Sequence, residues 1–163
     1  MWNCDSNLID HETLAVTRAF SLKYQSVIYK KNGIYYSEMD PYTLLNRACI
    51  RYASTIEGRV QAAKKIMPYF KKPPFIISPY SIGAFPTTAS DKDECVWVFN
   101  HPFYVTERRK GVSLVTFVNG TAIEVKVSKH TVLKQQQRLL TLMSISKALS
   151  QNAPIAEKEL KML

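Results

Sequence analysis

Short runs of β-branched and aromatic residues, separated by turn residues, occur in both halves of the chain. Residues 13–37 carry such runs on either side of Asn32-Gly33, a pair that favours a type I′ hairpin turn with φ > 0 at both central positions. We expect two or three strands there. From Glu94 onward, the runs CVWVFN, FYVTER, VSLVTFV and TAIEVKV are separated by His101-Pro102, Lys110-Gly111 and Asn119-Gly120, which predicts four further strands.

A central helix is predicted over residues 41–54. Asp40-Pro41 marks its start, because Asp accepts hydrogen bonds from free amides at the N-cap and Pro is tolerated at the first helical position. An apolar stripe then follows at helical spacing, formed by Leu44, Leu45, Ala48, Cys49 and Tyr52. Residues 55–67 leave two alternatives open, since their apolar spacing suits a second short helix while Gly58 weakens one.

The next stretch, MPYFKKPPFIISPY, holds four prolines, which exclude a long helix and predict extended segments and turns. We interpret FPTTASDKDE as a loop. Near the end of the chain, Ser128 is the predicted cap of a long helix over residues 129–150, whose apolar surface is broader than one stripe.

Strands grouped before and after a central helical region predict an α+β fold with a mainly antiparallel sheet, a central helix and a long C-terminal helix. We expect residues 1–150 to form one domain and residues 151–163 a short charged tail. The chain of 163 residues with 46% hydrophobic positions is long enough for one core.

The positive charge is concentrated in one part of the chain. The net charge is +9, and in residues 47–72 seven cations against a single Glu57 leave a local charge of +6. Such clustering is typical of phosphate binding, where contacts release condensed counterions. We therefore predict a DNA-binding site formed by Arg47, Arg51, Arg59, Lys64, Lys65, Lys71 and Lys72. The alternative is that these side chains point in several directions and only solvate the surface.

Two neighbouring features also admit two interpretations. Tyr52, Tyr69 and Phe70 interleave with the cations, so they either stack on unpaired bases or belong to the core, which we favour. A smaller basic cluster, Arg108-Arg109-Lys110, is either a second phosphate contact or a charged hairpin tip, and we favour the tip.

The sequence contains no recognisable catalytic or cofactor motif. Its three histidines lie outside known motifs, no cysteines or histidines have zinc spacing, and five glycines form no phosphate loop. We therefore expect a non-enzymatic protein without a cofactor or metal. Cys49 and Cys95 are predicted to be small core residues. The tightest acidic group, Asp91, Asp93 and Glu94, suggests a rival hypothesis of a metal-dependent nuclease, although its setting is typical of an exposed loop.

The compartment is predicted from two further features. The opening residues MWNCDSNLIDHET lack the basic start and apolar run of a secretory signal, and no run is long enough to cross a membrane. Three scattered cysteines argue against a disulfide framework. We therefore expect the protein in the cytoplasm and not in a membrane.

Four collinear segments carry a resemblance to a known family: YYSEMDPYTLLNRACIRYASTIEGR, KKPPFIISPYSIGAFPTTAS, ECVWVFNH and VTFVNGTAIEV. Together they resemble the ComK family of competence transcription factors. The matching positions are Arg47, Cys49, Ser54, Gly58, Arg59, Pro73, Pro74, Phe85, Pro86, Thr87, Cys95, Trp97, Phe117, Asn119 and Gly120.

The resemblance implies a transcription activator that recognises paired A/T-rich boxes in double-stranded DNA largely through the minor groove, and that associates with the bacterial nucleoid when bound. It also implies a homo-oligomer, either a dimer or a dimer of dimers on DNA. Some family members are captured by a proteolytic adaptor through a C-terminal aromatic and aliphatic motif, and its absence here puts adaptor control in doubt.

The long C-terminal helix supports a second hypothesis. Its apolar residues between Val132 and Leu149 either pack entirely on the sheet or leave a face for an oligomer contact. The alternative function is a regulatory scaffold that binds another protein through this amphipathic helix.

Overall fold

The computed structural model describes residues 2–3, 9–68, 71–79 and 81–151, and within them the chain forms ten strands and three helices. The strands are β1 (Trp2–Asn3), β2 (Thr13–Arg18), β3 (Ser26–Lys30), β4 (Gly33–Ser37), β5 (Phe75–Ser78), β6 (Ile82–Pro86), β7 (Val96–Phe99), β8 (Phe103–Arg109), β9 (Val112–Phe117) and β10 (Ala122–Val125). The helices are α1 (Pro41–Ile50), α2 (Ile56–Ile66) and α3 (Lys129–Gln151). The predicted α+β class is confirmed.

The strands form two sheets. The larger sheet has seven strands in the order β1-β4-β3-β2-β7-β6-β5, and the smaller has three in the order β10-β9-β8. Every neighbouring pair is antiparallel except β1 and β4, which are parallel. The mainly antiparallel sheet predicted from the sequence is therefore confirmed.

The large sheet lies between two layers that cover its opposite faces. One face buries Val16, Ile28 and Trp97 against apolar residues of α1 and α2, including Leu44 and Leu45. The other face packs against the small sheet and α3. Because successive side chains of a strand point to opposite faces, β7 contributes Trp97 to the first core and Val98 to the second.

The predicted central helix is shorter than expected and is followed by a second one. α1 ends at Ile50 rather than at residue 54, because Ala53 has a left-handed φ of 60° that breaks the helix. Thr55 then caps α2, its hydroxyl accepting a hydrogen bond from the Gly58 amide at 3.0 Å. The helical alternative for residues 55–67 is thus confirmed, and Gly58 is tolerated in the first turn.

Two local predictions were wrong in detail. Asp40 stands at the N-cap of α1, but its carboxylate takes no backbone amide and accepts a hydrogen bond from the Thr43 hydroxyl instead. The β3–β4 hairpin pairs Lys30 with Gly33, so Lys31 and Asn32 occupy the turn and only Gly33 has positive φ. The turn is therefore not type I′, which requires φ > 0 at both central residues.

Strand β6 was missed in the sequence, because part of it falls in the segment interpreted as a loop. Its residues IGAFP include a glycine and end in a proline, yet all five are buried between β5 and β7. The strands predicted from residue 94 onward are all present as β7 to β10. In β10, buried Ile123 and Val125 alternate with exposed Ala122 and Glu124, as expected.

The long C-terminal helix is confirmed with nearly its predicted bounds. α3 spans Lys129–Gln151, and the Ser128 hydroxyl accepts a hydrogen bond from the Thr131 amide at 3.2 Å, as an N-cap does. Of the predicted tail, Gln151 ends α3, and residues 152–163 lie outside the described residues.

Candidate nucleic-acid interface

The seven cationic residues predicted to bind DNA lie on two helices and the connection that follows them. Arg47 is in the last turn of α1 and Arg51 follows it, while Arg59, Lys64 and Lys65 belong to α2. Lys71 and Lys72 precede β5. Because α1 and α2 cover the same face of the large sheet, five of the seven residues belong to one helical layer. The two lysines line a cavity together with residues of α2.

These seven cations have no acidic partner in the described part of the chain. The ion pairs formed there join Arg18 to Asp93, Lys30 to Asp10, and both Arg109 and Lys126 to Glu124. None of them involves the seven residues between Arg47 and Lys72. Their positive charge is therefore available to an anionic partner rather than neutralised within the fold.

Two of the arginines also have structural contacts. Arg51 donates a hydrogen bond to the Ile9 carbonyl, which joins the segment before β2 to the end of α1. Arg59 is partly buried and donates from Nη2 to the Tyr52 carbonyl at 3.1 Å, within the turn between the helices. Each guanidinium thus stabilises the loop it contacts, and neither side chain is wholly free to meet a ligand.

The remaining cations are more accessible. Arg47, Lys65 and Lys71 are exposed, and Lys64 is partly buried. The Arg47 guanidinium makes a weak contact from Nη1 to the Met39 sulfur at 3.3 Å. Such side chains can reach a phosphate without breaking an internal ion pair.

Lys72 has an unusual backbone and an unexpected partner. Its φ of 49° is left-handed, a conformation that residues other than Gly, Asn and Asp rarely adopt. Its carbonyl accepts a hydrogen bond from Gln135 Nε2 of α3 at 2.8 Å. Sequence reasoning did not single out Gln135, although its position three residues after Val132 and four before Leu139 places it on the buried stripe.

A largely apolar cavity of about 610 Å³ opens beside these two lysines. Trp97 and Phe75 line it from the large sheet, Val60 lines it from α2, and Lys71 and Lys72 lie in its wall. The basic connection therefore borders a concave surface.

The three acidic residues of the nuclease hypothesis do not form a metal site. Asp91, Asp93 and Glu94 are all exposed, and Asp93 pairs with Arg18 at 3.5 Å. No group of three His, Cys, Asp or Glu side chains in the described ranges is arranged to hold a metal ion. The acidic segment is an exposed loop between β6 and β7.

Both described cysteines are core residues, as predicted, while Cys4 lies outside the described residues. Cys49 and Cys95 are 0% and 1% exposed. Burial raises the pKa of the Cys49 thiol from 9.0 to about 11 and also raises the pKa of Cys95. Burial thus disfavours the thiolate, the form that nucleophilic chemistry requires, at both positions.

The aromatic and hairpin features have different outcomes. Tyr52 is partly buried and packs against the core beside α1, so the core interpretation is confirmed for it. Tyr69 and Phe70 lie outside the described residues. Arg108-Arg109-Lys110 forms the exposed tip of the β8–β9 hairpin, as favoured from the sequence.

Helix α3 buries one face and exposes another. Val132, Gln135, Leu139 and Leu142 face the protein interior, while Leu133 and Leu140 are 42% and 52% exposed. The two exposed leucines are seven residues apart and lie on one side of the helix. The helix therefore does not pack wholly on its own sheet.

No helix in the described ranges is long and apolar enough to span a membrane.

Comparison with known proteins gives two matches and one negative result. A curated relative, the competence transcription factor of Bacillus subtilis (strain 168), is 29% identical over 120 residues, covering 71% of this chain and 62% of that protein. The match therefore spans less than two thirds of the relative's length. No solved structure matches. The family model described as ComK protein matches residues 4–150, which is most of the chain, and this protein therefore belongs to the ComK family.

Proposed function

We propose that this protein is a transcription activator that binds double-stranded DNA at A/T-rich boxes, largely through the minor groove. The observation that carries the proposal is the basic segment between Arg47 and Lys72, which has no acidic partner among the described residues of a ComK-family chain. The name of the Bacillus subtilis relative, a competence transcription factor, supports the same role. The bacterial cytoplasm, with its nucleoid, is the compartment in which such a protein acts.

Lysine and arginine have different roles at the proposed interface. Lysine is a point charge that anchors the protein on phosphate without reading sequence, so Lys64, Lys65, Lys71 and Lys72 supply affinity. Arginine can enter a narrow A/T-rich minor groove, where the negative potential is enhanced. Arg47 is the arginine best suited to this role, since Arg51 and Arg59 also bind backbone carbonyls within the fold.

Titration of two labelled duplexes tests this function directly. One duplex carries two spaced A/T tracts, and the other has the same length and mixed sequence. We expect tighter binding to the A/T duplex, and affinity for both should fall steeply as salt rises, because phosphate contacts release counterions. Equal affinity for the two duplexes at every salt concentration would exclude A/T recognition.

The outer face of α3 favours a second role for the same chain, which is self-association. Two associated copies could each bind one of the two A/T-rich boxes. Leu133 and Leu140 expose apolar surface on one side of the helix. A symmetric dimer uses the same patch on both copies, which a helix face of this kind can supply. The regulatory scaffold remains the competing use of this face, and a complex with another protein that survives nuclease treatment would support it.

A further inference from the structure

A single buried glutamine of α3 joins three parts of the molecule. Gln135 is 1% exposed. Its Nε2 donates to the Lys72 carbonyl at 2.8 Å and to the Pro86 carbonyl at 2.9 Å. Its Oε1 accepts from Arg138 Nη1 at 3.2 Å. Both amide hydrogens and the carbonyl oxygen are therefore used, so this buried polar side chain is fully satisfied.

The segment that Gln135 contacts, residues 71–74, can form few backbone hydrogen bonds of its own. Pro73 and Pro74 carry no amide hydrogens, so they cannot donate backbone hydrogen bonds. Lys72 has a φ of 49° although it is a lysine before a proline, and such a conformation persists only where the surroundings enforce it. The carboxamide of Gln135 supplies this constraint from another element.

We propose that Gln135 is a positioning residue that fixes the backbone of Lys71 and Lys72 so that both ammonium groups meet DNA phosphate. The inference rests on the proposed DNA-binding function. It adds a residue that acts through the two lysines and does not itself contact DNA. A fixed segment brings the two charges to phosphate with a smaller loss of backbone conformational entropy on binding. A loosened segment must become ordered in the complex and engages phosphate less completely.

The salt dependence of binding tests this role, because its slope reports how many phosphates the protein neutralises. In Gln135→Leu, the two carbonyls have no donor, and we expect the slope of log affinity against log salt to fall by about two, at ~0.9 for each phosphate that is no longer neutralised. The double variant Lys71→Gln, Lys72→Gln should show the same reduced slope. Gln137→Leu, the same change at an exposed position of α3, should keep the original slope.

Combining the changes separates positioning from general destabilisation. Adding Gln135→Leu to the double lysine variant should cause little further loss of affinity, since residues that act through one another are not additive. If Gln135→Leu does not fold, Gln135→Asn keeps the carboxamide but withdraws it by one methylene. In the folded variant without DNA, the NMR order parameters of the Lys71 and Lys72 backbone should fall, while those of the β-sheet core should not change.

Three outcomes would overturn the inference. They are a full slope in a folded Gln135 variant while the lysine variant loses slope, an additive loss in the combined protein, and unchanged order parameters at the two lysines. Failure of the wild-type protein to bind DNA with any salt dependence is a different result, because it would overturn the proposed function itself.

Discussion

At the scale of single residues, burial decides what Cys49 can do. The thiol lies on the inner side of α1 with 0% exposure, and desolvation raises its pKa to about 11, although the nearby Arg59 acts in the opposite direction. The folded protein therefore keeps this proton at pH values where an unfolded chain loses it. Cys49 is a packing residue whose ionisation opposes folding at high pH.

The stability of the protein should reflect this thiol between pH 9 and 11. In that window the unfolded state releases the Cys49 proton and the folded state retains it, so wild-type stability falls as pH rises. Cys49→Ala lacks the thiol and should lose this component. Urea unfolding of both proteins across the range measures the difference in free energy of unfolding, and a difference that does not change with pH would contradict the assignment.

Residue patterns indicated burial well and hydrogen-bond partners poorly. The helical spacing of Leu44, Leu45, Ala48 and Cys49 correctly predicted an inward stripe, because burial follows the 3.6-residue period. The partner of Arg59 could not be predicted in the same way. It is the Tyr52 carbonyl, which becomes available only because the chain turns at Ala53. Which donors meet which acceptors depends on such turns.

At the scale of elements, a glycine sets how closely α3 packs on β6. A methyl group added at Gly83 would lie 2.9 Å from both Leu139 Cδ1 and Met143 Sδ, and 3.3 Å from the Phe75 carbonyl oxygen. The first two atoms end flexible side chains, whereas the third belongs to the backbone of β5. The contact between helix and sheet therefore depends on the missing side chain.

Gly83→Ala should lower the free energy of unfolding by about 1 kcal/mol or more, as overpacking of a filled core does. Adding Met143→Ala removes one of the two crowded atoms, so the glycine substitution should cost less in that background. Urea denaturation of the four proteins in this cycle gives the coupling energy. Equal costs in both backgrounds would show that Met143 does not limit the space at Gly83.

Elements with strong local signals were predicted, and those without them were missed or left open. Ser128 and Asn119-Gly120 correctly marked the start of α3 and the β9–β10 hairpin. Strand β6 has Gly83 inside it and Pro86 at its end, which are unfavourable strand residues, and only its burial between β5 and β7 compensates. α2 was left open because Gly58 weakens a helix, and the Thr55 cap that the structure shows depends on where α1 ends.

At the scale of the whole molecule, the strand order could not be read from the sequence. β2 pairs with β7 across some 80 residues, and the three-stranded sheet separates from the seven-stranded one, although no local pattern distinguishes their strands. The clustering of cations in residues 47–72 was visible in the sequence, and the absence of acidic partners for them among the described residues was not. The strand order and the partners of the cations both depend on contacts between residues far apart in the sequence.

Self-association through α3 is a prediction at the same scale. Replacing exposed Leu140 by Glu places a charge in the apolar patch, so the oligomer expected on DNA should dissociate while the protomer stays folded. Sedimentation at several protein concentrations measures the change, and Val118→Glu, which places the same charge at an exposed apolar residue between β9 and β10, is the control. Unchanged association in Leu140→Glu would place the contact elsewhere.

The most direct test of the account compares two proteins that each lose four cations, so that the net charge falls from +9 to +5 in both. The first carries Ala at Arg47, Lys64, Lys65 and Lys71, and the second carries Ala at Lys23, Arg108, Lys110 and Lys147, which are exposed elsewhere. DNA affinity is measured against salt concentration. The first protein should lose up to about four units of log–log slope, at ~0.9 for each phosphate, and the second should lose little. Equal losses, or a larger loss in the second protein, would contradict a DNA interface on α1, α2 and the basic connection.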